Sequence, residues 1–279
     1  MSKRNDLSRG GILTTGISSL AATAMSAQTA HADYKAPGEV RVLVLVGDYW
    51  HSRIVQQHHW HHVLKSANWR VMFAQSSQFV TPEALSKTDL FIFARYAGPD
   101  SLGWSNDEIV EYRPTSAPFM TDEQEDAIVD NVMNRGMGLI AVHCSIWNPE
   151  RTKYLDLLGV EKSIMHTKVQ PAHIHELNQK HVITKGLKDF NTGDDEIFNA
   201  ELKPGQSTLL FKTSGEEQKI DANGGWCRNA GKGRIVALLP GHNSGPYMQE
   251  AYKKIMWRSA HWAMKKKPGS EDNLGRGFF

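Results

Sequence analysis

The stretch GLIAVHCSIW, residues 138–147, is an apolar run that ends in a histidine and a cysteine. Apolar residues without alternation predict a strand that is covered on both faces, as in the middle of a parallel sheet. A helix is predicted just before it, with a capping box formed by Thr121 and Gln124 and a stop at Gly136. Ligands of open α/β sheets bind beyond the carboxyl ends of the strands, so we expect a site at His143 and Cys144.

Working outward, apolar runs alternate with amphipathic segments along most of the chain. This order predicts one α/β domain with a single doubly wound, mostly parallel sheet that is flanked by helices. The predicted strands before the central one are 40–46, 69–74 and 90–94, and the predicted helices around them are 54–67, 81 onward, 149–158 and 247–264. Further extended segments are predicted at 167–177 and 209–212, with a hairpin over 225–239 and a plain turn at Gly231-Lys232-Gly233.

Both ends of the chain are predicted to lie outside the domain, which we place at residues 38–265. Residues 1–32 have a charged start, a mildly apolar segment and an Ala-His-Ala cleavage pattern at 30–32, which indicates an export signal. It resembles a twin-arginine signal, although Lys3 replaces the first arginine and Asp6 replaces an apolar residue; a disordered tail is the alternative. Residues 266–279 are predicted to be a flexible tail. We therefore expect an exported protein, periplasmic or extracellular.

Composition narrows the class of partner. The formal net charge is only +2 and the basic residues are scattered, so a nucleic-acid partner is not expected. No other segment approaches the roughly 20 apolar residues of a membrane span. The two cysteines, Cys144 and Cys227, cannot form a disulfide framework and are expected to be reduced. A small molecule is the expected partner, and a homo-oligomer is left open.

A second polar site residue is expected at His242, because it follows the continuous apolar strand that ends near Leu239. If the strands before His143 and His242 are both parallel and central, both imidazoles lie at one sheet edge, within about 12 Å of each other. The segment 98–118 is long for a plain connection and is predicted to be a rim or lid over this edge. His58 and His62 have the spacing of a helical metal pair, but they lie opposite Trp60 and are expected to face solvent.

Several motifs together resemble the ThuA-like family, named for trehalose utilisation and related to class I glutamine amidotransferases. They are GDYWH at 47–51, GLIAVH at 138–143, HVITKGL at 181–187, DEIF at 195–198 and GKGRIVALLPGH at 231–242. The resemblance implies a flavodoxin-like three-layer α/β domain and a role in carbohydrate metabolism, on a glycoside, a disaccharide or its 3-keto derivative. It does not supply a reaction.

Within these motifs we predict a site with two sets of residues. The catalytic candidates are His51, His143, Glu196 and His242. Imidazoles and a carboxylate can transfer protons, and the same four residues can bind a divalent metal, so the sequence leaves both forms of chemistry open. The substrate-binding candidates are Asp48, Trp50, Cys144, Trp147 and Asn243.

Two alternatives to a sugar-processing enzyme remain. A non-catalytic sugar-binding protein would use the loop aromatics Tyr49, Trp50, Trp104 and Trp147 as stacking surfaces. A cysteine hydrolase would use Cys144 as its nucleophile and His242 as the base. An amidotransferase-like elbow has glycines two residues before and after the cysteine, where this chain has Val142 and Ile146, so we expect Cys144 to be dispensable.

Overall fold

The computed structural model describes residues 35–65, 69–100, 119–268 and 274. The chain separates into two compact units, Met1–Glu39 and Val40–Phe279. In the first unit the described residues, 35–39, contain a turn; the fold below is that of the second. The predicted export signal, the predicted lid from residue 101 onward and most of the predicted tail lie outside the described residues.

The second unit contains eleven strands and six α-helices in its described part. The strands are β1 (Val40–Val46), β2 (Trp69–Ala74), β3 (Leu90–Ala94), β4 (Gly138–Val142), β5 (Val160–Ile164), β6 (Gln170–His175), β7 (Phe190–Asp195), β8 (Asn199–Leu202), β9 (Thr208–Gly215), β10 (Ile220–Ala230) and β11 (Gly233–Leu238). The helices are α1 (Arg53–Leu64), α2 (Pro82–Ser86), α3 (Asp122–Asp130), α4 (Thr152–Leu158), α5 (Ser244–Met248) and α6 (Glu250–Ala263). None of the described helices is long and apolar enough to cross a membrane.

Nine strands form one mixed sheet in the order β2-β1-β3-β4-β11-β10-β9-β6-β7. The first five in this order are parallel, and the remaining four extend the sheet in antiparallel fashion. The strands β4 and β11 are direct neighbours, with Val142 paired to Leu238. Their carboxyl ends therefore open onto the same edge of the sheet, as the apolar patterns predicted. Strands β5 and β8 form a separate antiparallel pair.

The apolar run of β4 is buried because helices cover both faces of the sheet. Leu139 and Ala141 belong to the core cluster on one face, and Ile140 and Val142 belong to the cluster on the other. Helices α3 and α4 pack against each other on the first face, and α1 contacts α6 on the second. The predicted doubly wound α/β class is confirmed.

The capping box of α3 is present, with Gln124 N donating to Thr121 Oγ1 at 3.2 Å and Thr121 N donating to Gln124 Oε1 at 3.0 Å. Some predicted helix bounds were wrong. The helix predicted from Pro149 begins at Thr152, because the preceding residues form a turn in which Arg151 N donates to the carbonyl of Asn148.

The helix predicted over 247–264 is two helices, because Gln249 adopts an extended backbone between α5 and α6. The helix predicted over 54–67 ends at Leu64, where Lys65 is also extended. The short strand predicted at 209–212 is the longer β9, which pairs on both sides.

Candidate active site

Four polar side chains meet at the carboxyl edge of the parallel strands. His51 follows β1, His143 follows β4, Glu196 follows β7 and His242 lies in the loop after β11. One ligand atom from each residue lies within 4.8 Å of the others. The ring centroids of His143 and His242 are 5.6 Å apart, well inside the separation expected from the sequence. The ring centroid of His51 lies 5.0 Å from that of His143 and 5.1 Å from that of His242.

The imidazole of His51 is held by a buried carboxylate. Its Nδ1 lies 2.8 Å from both Oδ1 and Oδ2 of Asp48. Asp48 also accepts the backbone N–H groups of Trp50, His51 and Tyr96, at 2.7, 3.0 and 2.6 Å. Burial alone would raise the pKa of Asp48, but His51 and the Tyr96 N–H hold that pKa below its ordinary value. Since a carboxylate only accepts, Nδ1 of His51 carries a proton that it donates to Asp48. Nε2 is buried and has no hydrogen-bond partner.

His143 occupies the sharp turn between β4 and the short 3₁₀ turn that follows. Its φ is +52°, in the left-handed region that a non-glycine residue rarely adopts. The side chain is fully buried and Nδ1 donates to the carbonyl of Leu239 at 2.8 Å. Nε2 therefore presents a lone pair toward the centre, where it has no hydrogen-bond partner. Burial lowers the pKa of His143 to about 4, so the ring is neutral at pH 7.

The chain makes a strained turn here although the glycines of an amidotransferase-like elbow are missing. It is His143 rather than Cys144 that occupies the strained position. Such strain persists where the surrounding structure holds it, and it is often found at functional sites. The turn aims an imidazole, and not a thiol, into the cluster.

The carboxylate of Glu196 lies between two of the imidazoles. Its Oε2 is 3.1 Å from Nδ1 of His242 and 3.5 Å from Nε2 of His143, and neither contact has the alignment of a hydrogen bond. Burial would raise the pKa of Glu196, but the two imidazoles hold it well below its ordinary value. Burial would lower the pKa of His242, but the Glu196 carboxylate raises it. The carboxylate of Glu196 is therefore anionic, and it interacts electrostatically with the ring of His242.

Buried side chains hold the backbone of the loop that carries His242. The buried carboxylate of Asp195 accepts the backbone N–H groups of Gly241 and His242 at 2.9 and 2.8 Å. Tyr252 donates its hydroxyl to the carbonyl of Pro240 at 2.6 Å. Burial raises the pKa of Asp195 to about 7, against the opposite effect of these N–H groups. Of the three consecutive carboxylates at 194–196, Asp195 is the fully buried one.

A cavity of about 410 Å³ opens above the cluster. The described residues that line it are Trp50, His51, Tyr96, Cys144, Trp147, Met165, His166, Glu196, Phe198 and His242. His143 is absent from the lining because it lies beneath the floor with no exposed surface. The walls are largely aromatic and the floor carries the polar groups, which is the usual composition of a small-molecule site.

Four lining residues were not predicted from the sequence. They are Tyr96, Met165, His166 and Phe198. His166 Nδ1 lies 2.7 Å from the carbonyl of Thr167 and 3.4 Å from Oε1 of Glu196. Phe198 packs its ring edge-on against His143, with centroids 4.7 Å apart. Their neighbours in sequence carry no distinguishing pattern, although Phe198 belongs to the DEIF motif.

The predicted substrate-binding residues fall into two groups. Trp50, Cys144 and Trp147 line the cavity, whereas Asp48 and Asn243 do not. Asp48 is buried behind His51, so its role here is to orient that ring. Asn243 is the N-cap of α5, and its Oδ1 accepts the N–H of Gly245 at 2.9 Å. The structure therefore places these two residues outside the cavity lining, and Trp104 lies outside the described residues.

Cys144 lacks the environment of a nucleophile. Burial, followed by the nearby carboxylates of Asp48 and Glu196, raises the pKa of its thiol well above the ordinary value. Its Sγ lies 3.5 Å from Nδ1 of His51, but that nitrogen already donates to Asp48. The thiol is therefore protonated at neutral pH, and the neighbouring nitrogen of His51 is not free to accept its proton. Cys227 is also a free thiol.

Fold and site together define an open α/β protein with a histidine and glutamate centre at the carboxyl edge of its parallel strands. The chain belongs to the ThuA family, described as trehalose utilisation, whose sequence model matches residues 41–263. This family suggests a role in carbohydrate metabolism. No curated protein sequence matches the chain.

Solved structures with the same fold include two ThuA-like proteins. The one from Bacteroides uniformis superposes with a TM-score of 0.61 at 14% identity, covering 83% of this chain and 94% of that chain. The one from Parabacteroides merdae gives 0.60 at 17% identity, covering 83% and 92%. A β-galactosidase from Bacillus circulans sp. alkalophilus gives 0.52 at 10% identity, covering 82% of this chain and 32% of that chain. At these identities the likeness shows the fold alone.

Proposed function

We propose that this protein is a metal-dependent enzyme of carbohydrate metabolism, which acts on a glycoside, a disaccharide or its 3-keto derivative. A divalent first-row transition metal would be held by His51, His143, Glu196 and His242. The observation that carries the proposal is the convergence of His51, His143, Glu196 and His242, each with a ligand atom within 4.8 Å of the others, where one nitrogen of each imidazole is buried without a hydrogen-bond partner.

The chemistry of the donor set supports a metal ion rather than a network of hydrogen bonds. A buried polar atom without a partner is costly, and one bound cation would satisfy three of them at once in a cluster whose ligand atoms lie within 4.8 Å of one another. Imidazole nitrogens and a carboxylate are typical ligands of zinc, iron, nickel and manganese. Two of the rings also have the outer partners that are typical of metal-binding histidines: the Asp48 carboxylate behind His51 and the Leu239 carbonyl behind His143.

A metal-free acid–base centre explains these features less well. His143 has a pKa lowered to about 4, so at neutral pH its ring could act as a base but not as an acid. As a neutral ligand, by contrast, it is ready to bind a cation. A metal at this point would polarise a sugar carbonyl or activate a water molecule. The aromatic walls formed by Trp50, Trp147 and Phe198 suit the apolar face of a sugar ring.

The test is metal content together with activity. Protein purified without an affinity tag should contain close to one metal ion per chain, and chelation should abolish turnover of a 3-keto-glycoside. His143→Ala and His242→Ala should lose both the metal and the activity. The matched control is the His58→Ala, His62→Ala double variant on α1, which should retain both.

Metal that survives the site variants and is lost in the control would contradict the proposal. Binding of a sugar without turnover, in the metal-loaded protein, would favour the non-catalytic sugar-binding reading instead.

Export of the protein is a separate proposal that rests on residues 1–32. Their charged start and the Ala-His-Ala pattern support cleavage after Ala32 and a periplasmic or extracellular location. Intact-mass measurement on material from the exported fraction tests this. A mass that includes Met1 would contradict cleavage.

A further inference from the structure

We infer that His166 is a substrate-binding residue of this cavity, and that its Nε2 atom accepts a hydrogen bond from one hydroxyl group of a bound glycoside. The inference rests on the proposed function for the class of the bound molecule. It goes beyond that function because it assigns a residue outside the four candidate metal ligands and states which chemical group that residue recognises. Recognition of this kind requires no metal ion.

The side chain of His166 has a fixed tautomer when its ring is neutral. Its Nδ1 lies 2.7 Å from the backbone carbonyl oxygen of Thr167. A carbonyl oxygen only accepts hydrogen bonds, so Nδ1 carries the proton. In a neutral imidazole the second nitrogen is then an acceptor. Nε2 of His166 is therefore suited to a group that donates, such as a hydroxyl.

The protein holds this ring in place by itself. Phe198 packs against it, with ring centroids 4.9 Å apart. The next residue, Thr167, is buried and is joined twice to Ile197: Thr167 N donates to the carbonyl of Ile197, and Ile197 N donates to Thr167 Oγ1, each at 3.1 Å. The loop between β5 and β6 is thus fastened to the segment that carries Glu196 and Phe198. A ring held in this way loses little conformational freedom on binding, which favours affinity.

The ring of His166 lies beside the cluster of candidate metal ligands and not within it. Its Nδ1 is 3.4 Å from Oε1 of Glu196, whereas Oε2 is the oxygen beside His143 and His242. The side chain of His166 lines the cavity and is 33% exposed, while that of His242 is 16% exposed. A sugar with one oxygen at the cluster would therefore bring the neighbouring groups of its ring to His166.

An acceptor at this place distinguishes sugars that differ by one hydroxyl group. When the hydroxyl is present, Nε2 exchanges a hydrogen bond with water for one with the sugar. When the hydroxyl is missing, the bound sugar displaces the water and leaves Nε2 unpaired. The difference corresponds to about tenfold in the dissociation constant.

The experiment is a double-mutant cycle between His166 and the hydroxyl groups of a glucoside. The probes are methyl glucoside and its derivatives that each lack one hydroxyl group, on carbon 2, 3, 4 or 6. Calorimetric titration at about pH 8, above the ordinary pKa of imidazole, gives each dissociation constant. His166→Phe keeps an aromatic ring against Phe198 and removes the nitrogens. The matched control is His173→Phe on β6, outside the cavity lining.

We expect the native protein to bind one of the deoxy derivatives about tenfold more weakly than methyl glucoside. His166→Phe should bind methyl glucoside about tenfold more weakly and should no longer distinguish it from that derivative, while its metal affinity stays that of the native protein. His173→Phe should retain the native pattern. If His166→Phe does not fold, His166→Leu removes the same acceptor with a smaller side chain and answers the same question.

Discrimination between the probes that survives the loss of the imidazole overturns the inference. So does native protein that binds every deoxy derivative as tightly as methyl glucoside, or none of the probes at all. Loss of metal from His166→Phe also overturns it, because His166 would then act by holding Glu196. The proposed function stands or falls separately, on the metal content and turnover of the native protein and of His143→Ala and His242→Ala.

Discussion

Asp48 holds His51 with both of its carboxylate oxygens, each 2.8 Å from Nδ1 of the imidazole. The same carboxylate accepts the backbone N–H of Tyr96, which lies beyond β3 at the cavity wall. One buried anion therefore fixes the tautomer of a candidate ligand and ties the loop after β1 to the loop after β3. Neither effect requires Asp48 to touch a substrate.

This relationship predicts that Asp48→Asn weakens metal binding without removing a ligand. An amide cannot accept from Nδ1 with both of its polar atoms, so the ring of His51 loses its fixed orientation. Loss of an outer partner of this kind typically lowers metal affinity by about 10–100-fold. Competition with a chromophoric chelator measures the change.

Asp89→Asn is the matched control for that experiment. Asp89 also accepts a backbone N–H, that of Arg41 at 2.8 Å, but it lies just before β3, at the opposite end of the strand. An equal loss of affinity in both variants would mean that the effect is general destabilisation.

The buried Asp195 is predicted to hold the His242 loop in place. In Asp195→Asn only one oxygen remains for two N–H donors, Gly241 N and His242 N, and the amide NH₂ faces the other donor. Leaving a buried donor unpaired costs about 1–3 kcal/mol of unfolding free energy. Urea unfolding should show this loss, and metal affinity should fall with it. The exposed neighbour Asp194 supplies the control, since Asp194→Asn should change neither quantity.

Acid stability should depend on His59, which stacks on Tyr247 with ring centroids 5.2 Å apart. Burial, reinforced by His58 and Lys253, lowers the pKa of His59 to about 4 from an ordinary value of 6.5. The unfolded chain takes up the proton near pH 6.5 and the folded chain only near pH 4, so stability falls as the pH falls through this window. One such group contributes at most about 1.4 kcal/mol per pH unit.

His59→Phe keeps an aromatic ring against Tyr247 and removes the titration, so its stability should decline less steeply between pH 6.5 and 4. Chemical denaturation at several pH values measures the slope. His173→Gln, at a half-buried position on β6, should retain the slope of the native protein. Parallel curves for the native protein and His59→Phe would argue against the assignment.

Cys144→Ser is predicted to keep most of the activity and the metal. The thiol of Cys144 is protonated because burial raises its pKa, and the neighbouring nitrogen of His51 is engaged with Asp48. Initial rates, together with the reaction of native protein with iodoacetamide, provide the measurement. A fall of about a thousandfold or more in the initial rate of the serine variant would support Cys144 as a catalytic nucleophile.

The sequence predicted the strands well because their signal is local. Val40–Val46, Trp69–Ala74, Leu90–Ala94 and Gly138–Val142 have the bounds read from the sequence. For the three inner strands among them, β1, β3 and β4, a largely continuous apolar run is what a strand covered on both faces requires. The capping box of α3 was equally readable, because its two partners are three residues apart. The break at Gln249 was missed because an apolar helical period continues across it.

The candidate site was only partly predictable. His143 and His242 could be placed at one edge, because each ends a buried strand and parallel neighbours share a direction. The orienting role of Asp48, the capping role of Asn243 and the presence of His166 in the cavity depend on side-chain directions after loops. No periodicity in the sequence encodes those directions.

The amino-acid sequence by itself determined the layered α/β architecture and the edge at which polar chemistry collects, because both follow from burial patterns within single segments. Only the tertiary structure decided that a ring nitrogen of each of His51, His143 and His242 lies beside the one carboxylate of Glu196. Asp48 holds the ring of His51, and the Leu239 carbonyl holds the ring of His143 in the strained turn after β4. Asp195 holds the backbone of the loop that carries His242. Contacts between residues as far apart as His143 and Leu239 exist only once the sheet has formed.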